Sequence, residues 1–96
     1  MLERSFQGNL IKELKRHFPG CMVLKNDSSY IQGIPDLIVL YNDKWATLEC
    51  KKTANSKRQP NQLYYVELMN KMSFSRFVSP ENKEEVLNEL RKVFQP

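Results

Sequence analysis

Residues 36–52 read DLIVLYNDKWATLECKK, and the rest of the chain is arranged around the pairing inside this stretch. Two strand-like runs, 36–41 and 44–52, flank Asn42-Asp43, and these two residue types tolerate the positive backbone angles of a two-residue hairpin turn. With that turn, Tyr41 faces Lys44, and extending the ladder residue by residue sets Asp36 opposite Glu49. Directly opposed side chains share a face of the sheet, with Cβ atoms about 4.5–5.5 Å apart. Alternation puts Lys51 on that face as well and turns the Cys50 side chain away.

Two facing carboxylates repel each other, and a strand pair does not keep them without a compensating charge. Lys51 supplies one positive charge against two negative ones. A divalent cation suits the arrangement better. Magnesium prefers carboxylate oxygens, keeps several waters and accepts a phosphate oxygen as a further ligand. The expected ligands are Asp36, Glu49 and the backbone carbonyl of Cys50, with Mn2+ as a substitute ion. Such a metal polarises a phosphodiester and lowers the pKa of bound water, while Lys51 orients the attacking water or steadies the transition state. The competing bland reading is a solvated pair of acids with Lys51 as a partial counter-ion.

On the N-terminal side, residues 2–17 have helical periodicity through Leu10, Leu14 and Phe18, and Phe18-Pro19-Gly20 ends the helix. Residues 21–25 form a short strand. Residues 26–35, NDSSYIQGIP, are rich in turn formers, and a loop this long inside a small domain is often functional. Ser28 and Ser29 either contact a nucleic acid or simply make turns. On the C-terminal side, Pro60 suits the first turn of a helix. The apolar face of that helix runs through Leu63, Val66 and Met69, widened by Tyr64, Tyr65, Leu68 and Met72. Residues 73–79 alternate like a strand, and Pro80 opens a last helix striped by Val86, Leu87, Leu90, Val93 and Phe94. The expected order is α-β-β-β-α-β-α, a single α/β domain over residues 1–96 with a mixed sheet flanked by helices.

The 96-residue chain carries 15 Lys and Arg against 11 Asp and Glu, a net charge of +4, with a pI of about 9.2. That excess suits a polyanion most where it clusters, at Lys51, Lys52, Lys57 and Arg58, the expected phosphate contacts. Lys12, Lys15 and Arg16 read as a solvated helix face. Two cysteines and one histidine exclude a disulfide framework and a zinc site of the usual pattern. With no leader and no apolar run of spanning length, the expectation is an intracellular protein with no membrane partner. The tyrosines and methionines of 60–72 belong most simply to the core, and their number suggests that some line a dimer interface.

Pro35-Asp36, twelve intervening residues and then Glu49-Cys50-Lys51 resemble the signature of the PD-(D/E)xK nuclease superfamily. With the Gly33-Ile34-Pro35 lead-in and Gln62 in the following helix, the pattern looks like its VRR-NUC branch. It is also similar to archaeal-type Holliday junction resolvases and to phage endonucleases of this architecture. The resemblance covers nearly the whole chain. It implies a restriction-endonuclease-like core and a catalytic group of Asp36, Glu49, Lys51 and Gln62, with Gln62 holding the phosphate or the attacking water. An acid from the first helix would join the metal, and Glu3, on the inward side, is the candidate, ahead of Glu13. It further implies a homodimer acting on branched DNA in the cytoplasm of a bacterial or phage-infected cell. Nicking or trimming of linear or flapped DNA, and a non-catalytic basic DNA-binding module, are the alternatives.

Overall fold

The computed structural model describes residues 2–96. Its elements are α1 (Glu3–His17), β1 (Met22–Lys25), β2 (Leu37–Tyr41), β3 (Lys44–Cys50), α2 (Pro60–Met72), β4 (Ser75–Val78) and α3 (Lys83–Phe94). This is the expected α-β-β-β-α-β-α order. The four strands make one sheet in the order β1-β2-β3-β4. The first two pairings are antiparallel and the last is parallel, because α2 carries the chain from β3 back to the start of β4.

The hairpin register is the anticipated one: Tyr41 pairs with Lys44 and Leu37 with Leu48. Asn42 takes a φ of 56°, alone among the described non-glycine residues, so the turn needs one positive angle and not two. The β1–β2 ladder runs from Met22 opposite Leu40 to Lys25 opposite Leu37. It is continued by the Asn26 N–H, which donates to the Asp36 carbonyl at 2.8 Å.

One face of the sheet carries the core. Leu37, Val39, Ala46, Leu48, Cys50 and Val78 pack there against Phe6, Leu10 and Leu14 of α1 and Val86, Leu87 and Leu90 of α3. Phe18 and Phe94 meet edge to face with ring centroids 5.2 Å apart. Burying these side chains is worth roughly 1.5–3 kcal/mol each before entropy is counted. No helix of the described residues is long and apolar enough to cross a membrane.

α2 lies across the other face, and here the expected core assignment fails in part. Val66 is its one buried residue; Tyr65 and Met69 are half-buried, while Tyr64 and Met72 are 59% and 65% exposed. A crossover joining two adjacent parallel strands sits over those two strands. It leaves Met22, Leu24 and Leu40, on β1 and β2, exposed on the same face. The last helix also starts later than Pro80. The Asn82 side chain accepts from the Ser79 N–H at 2.8 Å and donates to the Phe77 carbonyl at 3.0 Å, holding residues 79–82 as a turn. Glu81 is thereby placed before the helix, where it accepts from the Ala54 N–H at 3.2 Å. Strands β3 and β4 are shorter than expected: Lys51 and Lys52 lie beyond Cys50, and Ser73 caps α2.

Candidate active site

Asp36 sits between two ladders. Its carbonyl is bound by Asn26, while its Oδ2 accepts the Cys50 N–H at 2.9 Å. Asn26 also donates through its side chain to the Pro35 carbonyl at 2.8 Å, so the Pro-Asp step is gripped on both sides. Glu49, one residue beyond the Leu37–Leu48 pair, is only 3% exposed. Its position in the ladder places it beside Asp36, as the hairpin register requires.

Glu3, in the first turn of α1, joins them from an exposed position. One carboxylate oxygen from each of Glu3, Asp36 and Glu49 lies within 4.8 Å of the other two. Ligands on a magnesium ion at 2.0–2.1 Å stand about 3 Å apart when adjacent and about 4 Å apart when opposite. An ion would therefore need to close separations of up to 4.8 Å by at most about 2 Å, or about 1 Å of travel for each group.

Lys51 and Gln62 close the other side. The Gln62 amide has both ends engaged: Nε2 donates to Glu49 Oε2 at 3.1 Å, and Oε1 accepts from Lys51 Nζ at 2.7 Å. The same Oε1 accepts the Gln59 N–H at 3.0 Å, the reciprocal half of a capping box at the start of α2. This contact needs an acceptor at that end of the amide, so the NH₂ end is left facing Glu49. Lys51 Nζ also donates to the Lys57 carbonyl at 2.9 Å, and its own backbone N–H reaches the Val78 carbonyl at 2.7 Å. Glu49, Gln62 and Lys51 are thus joined by side-chain hydrogen bonds, and Asp36 is tied to the backbone at Cys50 between Glu49 and Lys51.

The electrostatics oppose ionisation of both Asp36 and Glu49. Burial, then the neighbouring charge of Asp36, pushes the Glu49 carboxyl up to about 8; Lys51 opposes the shift and Glu3 adds to it. Asp36 is raised as well, chiefly by burial, against the lowering effects of the Cys50 N–H and of Lys51. Glu49 Oε1 is buried without a hydrogen-bond partner. A buried carboxylate with an oxygen left unpartnered, in a cluster of three acids, is what a hard cation would satisfy. Glu3, Asp36 and Glu49 fit such an ion.

The Cys50 side chain is fully buried in the core, and burial raises its thiol further above the usual range. Any ligation by this residue must come from its backbone. Within a strand the N–H and C=O of one residue point to the same side; since the N–H meets Asp36, the carbonyl faces the acids' side too.

The expected phosphate contacts behave unequally. Lys52 and Lys57 are exposed. The Arg58 guanidinium lies over the Phe77 ring, 4.2 Å from its centroid, in the strand next to Glu49. Ser29 is spent on a turn: its N–H and hydroxyl both donate to Asp27 Oδ1. Ser28 borders an open cleft beside the start of α2.

Sequence reasoning missed Asn26, Gln59 and Asn61, and took Gly33 only as part of the lead-in to Pro35-Asp36. Gly33 has a φ of 90°, and a Cβ there would fall 2.3 Å from the Asn61 Cβ, so only glycine lets the loop lie flush on α2. The glycine before Ile34-Pro35 was the available signal. Compared with protein-family models and with curated proteins, the chain matches none.

Proposed function

We propose that the chain is a metal-dependent phosphodiesterase and, more particularly, a magnesium-dependent DNA endonuclease, with Asp36, Glu49 and Glu3 as the metal-binding acids. The observation that carries this reading is the convergence of buried Glu49 with Asp36 and Glu3, one carboxylate oxygen of each within 4.8 Å of the others, while Glu49 Oε1 has no hydrogen-bond partner and the Lys51 ammonium is held alongside through Gln62. The resemblance of Pro35-Asp36 and Glu49-Cys50-Lys51 to the PD-(D/E)xK pattern supports it independently.

A bound Mg2+, or Mn2+ in its place, would polarise the scissile phosphodiester and lower the pKa of the attacking water. The chain's own groups do the rest. Asp36, fixed by the Cys50 N–H, and Glu49, fixed by Gln62, hold the acids in register before substrate arrives. Lys51 presents its ammonium to the charge that grows on the phosphate. Exposed Lys52 and Lys57, with Arg58, carry flanking phosphates in a sequence-independent manner.

The described residues form one α/β unit with no separate module for reading sequence among them, so selection by DNA shape is the natural mode, with branched DNA such as four-way junctions as the substrate. Two copies meeting through the exposed apolar side chains of β1, β2 and α2 would offer one site to each of two strands. The uncut alternative is direct to check. Purified protein with magnesium is incubated with a four-way junction, a flap and the component duplexes. Cleavage should require the metal, favour the junction, and fall by at least about 10²-fold in Lys51→Met. Undiminished cleavage in Asp36→Asn and Lys51→Met would rule out the assignment.

A further inference from the structure

The loop 26–35 and the start of α2 enclose an open cleft of about 300 Å³, bordered by Ser28, Gln32, Gly33, Gln59, Asn61 and Gln62. It is separate from the acid cluster but shares Gln62 with it. Its lining carries no charged side chain. A phosphate would find no cation there, and a cation no carboxylate. It offers amides and a hydroxyl, groups that both donate and accept. Ser28, Gln32 and Asn61 are exposed, whereas Ser29 and Gln62 are engaged with Asp27, Lys51 and Glu49.

We infer that this cleft receives an unpaired nucleobase of the strand being cut, next to the scissile phosphate; this rests on the nuclease reading above. The edge of a base carries the same mixture of donors and acceptors as Gln32 and Asn61, and that edge is free only when the base is out of the duplex. Tyr30, in the same loop, is 84% exposed, which leaves an aromatic face for stacking. The wall is preformed, because glycine at position 33 lets the loop lie directly on Asn61. Gln62 fixes the register. Its amide joins Glu49 and Lys51 while its residue borders the cleft, so a base seated there carries its phosphodiester to the acids. The site therefore selects strand discontinuities and branch points, where a base is already unpaired, over continuous duplex.

The test is cleavage, with magnesium, of matched oligonucleotides in which a nucleotide flanking the cut is paired, unpaired or unpaired and abasic. Wild type is compared with a Gln32→Ala/Asn61→Ala double variant, which keeps the Cβ at position 61. At one flanking position, unpairing should raise the wild-type rate about tenfold or more and removing the base should abolish most of that gain. The double variant should cut base-bearing and abasic strands alike. The readout is a ratio of rates, so partial loss of folded protein cancels. Equal wild-type cleavage of base-bearing and abasic strands, or undiminished discrimination by the double variant, overturns the cleft assignment alone. Absence of cleavage on every substrate overturns the nuclease reading and this inference with it.

Discussion

The two faces of the sheet obey different rules. Against α1 and α3, the inward side chains Leu37, Val39, Ala46 and Leu48 are apolar and fully buried. Beneath and beside α2, β3 and β4 bury Thr47, Ser75 and Glu49. Thr47 and Ser75 satisfy each other at 2.7 Å, but Glu49 keeps an oxygen with no partner. The first face is arranged for stability. The second accepts an electrostatic penalty where three acids converge, and polar burial of that kind is tolerated when something outside the chain completes it.

The sharpest way to break this contrast is to exchange one residue on each face. Glu49→Gln should lower metal-dependent cleavage by about 10³-fold or more, yet make the metal-free protein more stable near pH 7, by about 1–3 kcal/mol. The sign follows from a carboxyl raised to about 8 from the ordinary 4.5. Its contribution to stability is intact below about 4.5 and is lost as pH rises through about 8, and glutamine escapes that loss. Its neighbour behaves oppositely: Leu48→Ala should cost about 2–5 kcal/mol while leaving cleavage by the folded fraction in place. Denaturant melts and rate assays on the same samples measure both, and a Glu49→Gln protein less stable than wild type would collapse the distinction.

A second, smaller effect sharpens it. Since cation binding must displace the proton from Glu49, Mn2+ affinity followed by calorimetry should tighten by about tenfold per pH unit toward pH 8 and level off above it. Affinity that is flat across this range would mean that Glu49 is not a ligand. The mildest change lies at the rim of the polar face. Gly33→Ala, which meets Asn61 and keeps a φ of 90°, should cost about 1–3 kcal/mol, and a thermal melt indistinguishable from wild type would count against a preformed wall.

Much of this was legible in the chain itself, for physical reasons. A two-residue turn leaves no freedom in register, so the neighbourhood of Asp36, Glu49 and Lys51 followed from counting. Helical periodicity set Glu3 on the side of Leu10, and the structure brings it to the other two acids, though its side chain stays exposed. Gln62 was reached only through resemblance, because its capping contact uses Gln59 in place of the serine or threonine that usually marks such a box. The apolar side chains of α2 were legible in part: their number says that not all can be buried, but only the crossover geometry says that Tyr64 and Met72 are among those left exposed. Pro80 misled, since the Asn82 side chain bonds that delay the helix leave no trace in hydrophobic spacing.

The backbone bond from Lys51 to Val78 also bears on the order of assembly. The hairpin that holds Asp36 and Glu49 is local and can close early, whereas the parallel partner that anchors Lys51 must wait for α2 to span the gap. The acids can thus assemble before the ammonium is fixed, and the ensemble reaches competence only with its most non-local pairing. Native-state hydrogen exchange should find the Lys51 amide opening together with β4 and not with the hairpin.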